Sequence, residues 1–432
     1  MSVAAFLLTI AGIFLIGAAG EAVFRRTSVP DVIWLIAVGL LLGPVLSVLG
    51  RDQLTAVAPY FAALTLVVVL FEGGSKLELS DVSQAAPRSV ALAIASFSSS
   101  LASVALISML ARWVGLLPPG WSWTHGALLG AILGGSSSII VMPAMQQAKV
   151  DAKVASLVGL ESAFTDAFCV VGASGLIGVL SARVGVGQSP ALALLTSFGL
   201  GAGAGAVSGG AWLLFLRFLR DSEHAYPITL SSLIVLYVVI DHAGGSAALG
   251  ILTFAVIVGN AKSIGERLGL SGQRGLGADL RGFHRQMTFI IKSFFFTFIG
   301  AMLGPPIGAL VVGVLLGILL FAVRIPSARL ALLKTDFTSA QRRLVEVALP
   351  RGMAAGVLAT LPAAAGVPDT EKLPTIVFAA VLTTILVFAV GFPRARKAML
   401  REAPPGDSET PGEVAPQPRR ARTEAGEPPA LP

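Results

Sequence analysis

Gly159-Leu160-Glu161-Ser162-Ala163-Phe164-Thr165-Asp166-Ala167-Phe168 puts two carboxylates inside a run, 154–181, that otherwise reads as a membrane-spanning helix. An ionisable side chain at membrane depth costs roughly 2.5–3.5 kcal/mol on insertion scales. Such residues persist where they bind an ion, relay a proton or pair with an opposite charge. The rest of the chain sets the environment. Of 432 residues, 55% are hydrophobic and 13% charged, whereas about a quarter are charged in a soluble domain. Apolar runs recur from end to end, so the fold class is an all-α polytopic membrane protein.

Thirteen spans are expected: about 3–24, 30–50, 59–75, 89–112, 124–146, 154–181, 190–216, 226–241, 246–261, 284–303, 306–323, 344–364 and 374–392. The first lacks a basic leader and reads as a retained helix, although Gly17-Ala18-Ala19-Gly20 has the small residues of a signal-peptide cleavage site. With the N-terminus outside, nearly every basic loop falls inside, and only Arg51, Arg112, Arg183 and Lys372 fall outside. The expected localisation is therefore a multi-pass cell-membrane protein with a cytoplasmic C-terminus. The transmembrane part covers 1–395, and 396–432, rich in Pro, Glu, Arg and Gly, reads as a disordered tail. The net charge of +7 lies in short loops, where topology accounts for it, so no nucleic-acid partner is expected. No nucleophile–base set, phosphate loop or metal-ligand spacing stands out, so the chain reads as neither an enzyme nor a cofactor protein.

Two spans carry breaks. The fifth contains Gly134-Gly135-Ser136-Ser137-Ser138 and Pro143; the twelfth contains Pro350-Arg351-Gly352 and Pro362. Paired interrupted helices, one in each half, point to a transporter of inverted repeats with a midplane site. On the sixth span Ser162 and Asp166 are four apart and share a face, with Thr165 beside them. That face suits a dehydrated monovalent cation, held by Asp166 and the Ser162 hydroxyl, with backbone carbonyls of the Ser136–Ser138 break completing the shell. A buried carboxylate there holds a proton or a cation, not both, and this competition suffices for exchange. Glu161 points elsewhere and is expected to pair with Arg351 or Arg324. Lys292, inside the tenth span, either pairs with Asp166 or snorkels to the inner surface. Glu72, closing the third span, is a cap, a loop ion pair or a pathway residue.

Several local motifs, in order, resemble the monovalent cation/proton antiporter superfamily over about residues 1–395. Pro30 with Gly39-Leu40-Leu41-Leu42-Gly43-Pro44 is similar to an early family helix. Leu70-Phe71-Glu72-Gly73-Gly74 is similar to the family's L-F-E-G-G segment. Glu161-Ser162-Ala163-Phe164-Thr165-Asp166 resembles the E-S-x-x-N-D motif of NhaP-type sodium/proton exchangers. Val323-Arg324-Ile325-Pro326 and Pro350-Arg351-Gly352-Met353-Ala354 resemble their A-R-P-L and G-L-R-G-A motifs. Thr165 replaces the family Asn, and Ser136-Ser137-Ser138 replaces T-D-P. The serine-rich break and Lys292-Ser293-Phe294-Phe295-Phe296 look closer to Kef-type potassium/proton antiporters.

The resemblance implies two crossed discontinuous helices, core helices at about 59–181 and 284–366, and a remainder that is largely scaffold and dimer contact. It implies a homodimer in the lipid bilayer and elevator-type alternating access, with no further protein partner evident. It also implies that Asp166 binds Na⁺ or K⁺ and H⁺, assisted by Ser162, Thr165, Ser136 and Ser137. Exchange is expected to be 1:1 and electroneutral, unless Lys292 also cycles a proton. The alternatives are a passive cation channel and a sodium-coupled organic-anion symporter of related architecture.

Overall fold

The computed structural model describes residues 3–27, 29–76, 86–181, 190–215, 225–267, 278–333, 335 and 337–402. Every expected span coincides with a helix or an interrupted pair. The first three are α1 (Val3–Thr27), α2 (Val32–Leu40, continued by a wider turn over Leu41–Val45) and α3 (Arg51–Ser75). After α4 (Ala86–Trp113) comes the first interrupted pair, α5 (Trp123–Ile132) and α6 (Ser138–Gln147). Then follow α7 (Ala152–Leu180), α8 (Pro190–Phe215), α9 (Ala225–His242), α10 (Ala247–Gly259), the short α11 (Ala261–Arg267), α12 (Ala278–Met302) and α13 (Ile307–Ala331). The second interrupted pair is α14 (Ser339–Val347) and α15 (Met353–Leu358), followed by α16 (Leu361–Ala364) and the long α17 (Leu373–Glu402). Among the described residues, eight helices are long and apolar enough to cross a membrane unaided.

Packing sorts these helices into two groups. One contains α1, α2, α3, α8, α9, α10 and α12; the other contains α4, α5, α6, α7, α13, α14, α15 and α17. The expected core ranges differ from this grouping. Most of α3 and of α12 falls within 59–181 and 284–366, yet they pack chiefly on the first group; α17 lies outside those ranges, yet packs on α13 and α14. The reason is that α2 and α12 meet backbone to backbone. A side chain on Gly39 or Gly300 would collide with the Thr297 and Ile36 carbonyls respectively. This close fit ties α12 to α2 rather than to the interrupted helices.

The seam between the groups is aromatic and aliphatic. Phe298 of α12 meets Phe378 of α17 edge to face at 5.9 Å, backed on its own side by Phe61 of α3 and Phe295 of α12, whose rings stack with centroids 6.0 Å apart. Phe295 and Ile299 press on Gly356 of α15. At one end of α3, Arg51 crosses the seam, bonding the Pro305 carbonyl and, at 3.1 Å, the Thr375 hydroxyl of α17.

The last helix runs past the expected start of the tail, taking in 396–402, while 403–432 lies outside the described residues. Glu402 accounts for the extension. Its carboxylate accepts from the Ser339 hydroxyl at 2.6 Å and from the Ala340 N–H at 3.2 Å, at the open N-terminus of α14. Those bonds, the Ser339 hydroxyl first, hold its carboxyl below the usual glutamate range.

The α2–α12 contact gives a stability prediction. Gly39→Val drives a branched side chain into the Thr297 carbonyl and is expected to cost about 1–3 kcal/mol. Gly203→Ala, where nothing lies within 4 Å of the new carbon, should leave stability unchanged or slightly improved. Thermal unfolding of the purified protein in detergent reads both; equal midpoints would remove the close contact as the tie.

Candidate functional site

Each break follows from local chemistry. Pro350 has no N–H to continue α14 and pushes Leu349 out of the helical region. Gly134 and Gly135 are poor helix formers, and the serine hydroxyls that follow compete for backbone groups. Pro143, also expected to interrupt, lies within α6 without ending it. Both pairs open with a capping box, Ser122 with His125 at α5 and Thr338 with Gln341 at α14.

The two breaks touch. The Ser137 N–H donates to the Pro350 carbonyl at 2.8 Å. Gly352 stands where any side chain would strike Ser137. The backbone groups orphaned by one interruption are thus partly satisfied by the other, which makes the crossing a single structural unit.

Beside this crossing runs α7. The Ser162 hydroxyl donates to the Ser136 carbonyl at 2.7 Å. The Thr165 hydroxyl accepts from the Ser136 N–H at 3.2 Å and donates to the Ser162 carbonyl at 3.1 Å. Both side chains are buried and clamp the Ser136 peptide. The Ser136 hydroxyl itself is buried without a hydrogen-bond partner.

One turn along, Asp166 lines a cleft together with Ser137, Ser138, Cys169, Val69 and Met353. Its carboxylate makes no hydrogen bond or ion pair among the described residues. A carbon added to Gly135 would lie 3.4 Å from Asp166 Oδ1, so the carboxylate rests against the glycine of the break. Of the expected ion ligands, Asp166 and Ser137 face the cleft. Ser162, Thr165 and Ser136 do not line it: they stand behind it and hold its wall. Ser162 and Asp166 lie one turn apart on α7, Ser162 bonded to the Ser136 carbonyl and Asp166 lining the cleft.

Glu161 is fully buried and meets Arg324 through both oxygens, Oε2 to Nη2 at 2.7 Å and Oε1 to Nη1. Arg324 also donates to Ser96 Oγ at 2.8 Å and to the Val345 carbonyl. Of the two arginines expected, Arg324 is therefore the partner. Arg351 is buried and apart from the pair: its backbone N–H bonds Thr384 and its guanidinium reaches Ser100 at 3.3 Å, with Nε unpartnered.

Of its two expected paths, Lys292 does not take the one to Asp166; Asp31, its partner, stands at the N-terminus of α2, the end expected at the inner surface. Lys292 pairs with Asp31 at 2.5 Å and lies over the Phe289 ring, 5.6 Å from its centroid. Because α12 packs lengthwise on α2, it carries Lys292 past the N-terminus of α2, where Asp31 presents its carboxylate; Asp166 lies across the seam. Glu72 is engaged by Lys76 at 2.6 Å and Thr288 at 2.9 Å, an ion pair rather than a free pathway carboxylate.

Ser96, Ser99 and Ser100 escaped the sequence reading. Their i, i+3, i+4 spacing on α4 was the available signal. Ser96 and Ser100 receive the two buried arginines, and Ser99 bonds Ser327 at 2.8 Å. Cys169 carried no signal beyond its place one turn after Asp166.

Residues 10–393 match the family model described as sodium/hydrogen exchanger, transmembrane. This chain belongs to that family. It is 27% identical over 413 residues to a Shewanella baltica protein named K(+)/H(+) antiporter NhaP2, covering 91% of this chain and 67% of that one. A protein of Alkalimonas amylolytica named K(+)/H(+) antiporter NhaP is 25% identical over 88% of this chain and 64% of its own length. The Na(+)/H(+) antiporter ApNhaP of Aphanothece halophytica is 30% identical, over 42% of this chain only. This exchanger chain spans about two thirds of the length of the K(+)/H(+) relatives. In fold it matches the sodium proton antiporter MjNhaP1 of Methanocaldococcus jannaschii, with TM-score 0.72 at 19% identity, over 92% of this chain and 99% of that one. The family and the fold are those of a monovalent cation/proton antiporter.

Removing one member of the buried pair strands the other charge. Arg324→Gln is expected to cost about 3–5 kcal/mol, while replacing both members by apolar residues (Glu161→Leu with Arg324→Met) recovers most of the loss. Thermal midpoints in detergent test this. A double variant no more stable than Arg324→Gln would overturn the two-residue account.

Proposed function

We infer that this chain is a secondary antiporter that exchanges a monovalent cation, Na⁺ or K⁺, for H⁺. One observation carries the reading: a carboxylate without a partner, Asp166, faces a cleft beside the crossing of two interrupted helices. Every other acidic or basic group singled out from the sequence at membrane depth is paired or hydrogen-bonded. The names borne by the relatives, K(+)/H(+) and Na(+)/H(+) antiporters, support the same class of activity and a transporter rather than an enzyme.

The mechanism follows from competition for Asp166. From the side where the proton concentration is low, a cation enters the cleft, displaces the proton and lies between the carboxylate and the Ser137 and Ser138 region. Arg351 supplies a standing positive charge that steadies Asp166 when neither is bound. The loaded group of helices around α5, α6, α7, α14 and α15 moves against the scaffold along the aromatic seam, in the elevator manner. It opens to the other side, exchanges its load and returns. An empty, charged carboxylate is costly to carry through the apolar seam, and that cost couples the two ions. With one free carboxylate in the cleft, and Lys292 engaged by Asp31, one proton crosses per monovalent cation and exchange is electroneutral. The assembly is a homodimer in the cell membrane, with the N-terminus outside and the C-terminus cytoplasmic.

Reconstitution with a pH-sensitive dye inside the vesicles tests the reading. Adding KCl or NaCl outside should move protons in the wild type and none in Asp166→Asn. No cation-driven proton movement from pH 6 to 9, or full activity in Asp166→Asn, would replace antiport by the channel or symporter reading. The same vesicles test stoichiometry. Lys292→Gln should leave the rate insensitive to an imposed membrane potential, as in the wild type. A wild-type rate that follows the potential would overturn electroneutrality.

A further inference from the structure

We propose that Thr65 is a further cation ligand, supplied by the scaffold when the loaded cleft opens toward the Arg51 end of α3. The proposal rests on Asp166 being the ion-binding carboxylate of a moving helix group. Thr65 is the one polar residue in the α3 run Phe61-Ala62-Ala63-Leu64-Thr65-Leu66-Val67-Val68-Val69-Leu70-Phe71. It is fully buried, and its hydroxyl has no hydrogen-bond partner among the described residues. A threonine inside a helix can turn its hydroxyl to the carbonyl four residues back, as Thr229, Thr253, Thr297 and Thr383 do here at 2.7–2.8 Å. Thr65 does not. A buried hydroxyl left unsatisfied carries the full penalty of its lost hydration, and a partner met elsewhere in the transport cycle removes that penalty.

The place of Thr65 on α3 says which partner. Thr65, Val69 and Glu72 are spaced i, i+4, i+7 and lie along one face of the helix. Val69 lines the cleft together with Asp166. Glu72 stands toward the Ser75 end, engaged by Lys76 and Thr288. Thr65 stands one turn, about 6 Å, toward the Arg51 end. That end is closed in this structure. Phe298 meets Phe378 across the seam, and Arg51 bonds the Pro305 carbonyl and the Thr375 hydroxyl. Opening there requires the group that carries Asp166 to move toward the Arg51 end, while α3 stays with the scaffold. A slide of one turn takes Asp166 from the level of Val69 to the level of Thr65. The scaffold wall of the cleft then changes from an isopropyl group to a hydroxyl. A hydroxyl oxygen is an uncharged ligand that can stand in for one water of a Na⁺ or K⁺ hydration shell. The cation gains an oxygen in that register only, and the orphaned hydroxyl gains its partner.

The test uses the full chain in right-side-out and everted membrane vesicles from a host stripped of its own cation/proton antiporters. NaCl or KCl is varied in the outer medium, and a pH-sensitive dye in the lumen reads proton movement. The bond from Arg51 to Thr375 places the start of α17 at the Arg51 end, so a C-terminal tag open to protease marks vesicles that expose the opposite face. Thr65→Val removes the hydroxyl and keeps the shape. It should raise the half-saturating salt concentration several-fold at the Arg51 face and leave it unchanged at the C-terminal face. Thr65→Ser keeps the oxygen and should match the wild type at both faces. The hydroxyl has no partner in the present register, so the thermal midpoint of Thr65→Val should equal or exceed that of the wild type. A half-saturating concentration unchanged at the Arg51 face, raised alike at both faces or raised only at the C-terminal face overturns the proposal, as does a midpoint that falls. Should Thr65→Val abolish exchange, Thr65→Ser decides: exchange at the wild-type level supports the oxygen ligand, and exchange lost there too overturns it. Wild-type vesicles of both kinds without cation-driven proton movement would instead sink the antiport reading beneath the proposal.

Discussion

The bond from the Ser137 N–H to the Pro350 carbonyl is the constraint on which the rest of the arrangement depends. A helix broken inside a membrane exposes backbone groups that no water is present to satisfy. Here two breaks meet and each serves the other. Ser162 and Thr165 complete the accounting from the neighbouring helix by closing both ends of the Ser136 peptide. Once those four positions are held, Asp166 has nowhere to point but into the cleft beside them. The free carboxylate is a by-product of how thoroughly its neighbours are bonded.

The buried Glu161–Arg324 pair does a different job from Asp166, although the two acids are five residues apart on one helix. A doubly bonded carboxylate with further bonds from Arg324 to Ser96 and Val345 is fully satisfied. It ties α7, α13, α14 and α4 together at one point. Such a pair contributes less net stability than its geometry suggests, because removing both charges from water is costly. Its value lies in orientation: it fixes the rotation of α7 about its own axis, and thereby decides which residue of the Ser162–Asp166 face reaches the cleft.

Interruptions and lone charges were legible in the sequence because their causes are local. Pro350 and the Gly134–Ser138 run break a helix wherever they occur, and Asp166 in an apolar run calls for a functional partner whatever surrounds it. What depends on the rotation of one helix against another was not legible. Glu161 had two arginines within its chemistry, and only the packing of α13 beside α4 selects Arg324. Lys292 could be read toward Asp166 or toward the inner surface, and the glycine-mediated fit of α2 on α12 sets it against Asp31. Ser162 was read as an ion ligand from its spacing to Asp166. Spacing places residues on a face, but does not say which of them the neighbouring backbone engages, and here it is Ser162 that bonds the Ser136 carbonyl. The reach of α17 to Glu402 escaped for the same reason, since Glu402 is held by the N-terminus of α14 some sixty residues earlier.

The seam between the two helix groups is held by rings and branched aliphatic side chains. Contacts of that kind are many, weak and without direction, so their sum changes little when one face slips along the other. In the elevator movement proposed above, that surface serves as a bearing. Arg51, with its bonds to the Pro305 carbonyl and the Thr375 hydroxyl, is directional and is lost all at once on displacement. It acts as a detent on that bearing, giving the present register a definite resting position on a surface that would otherwise have none.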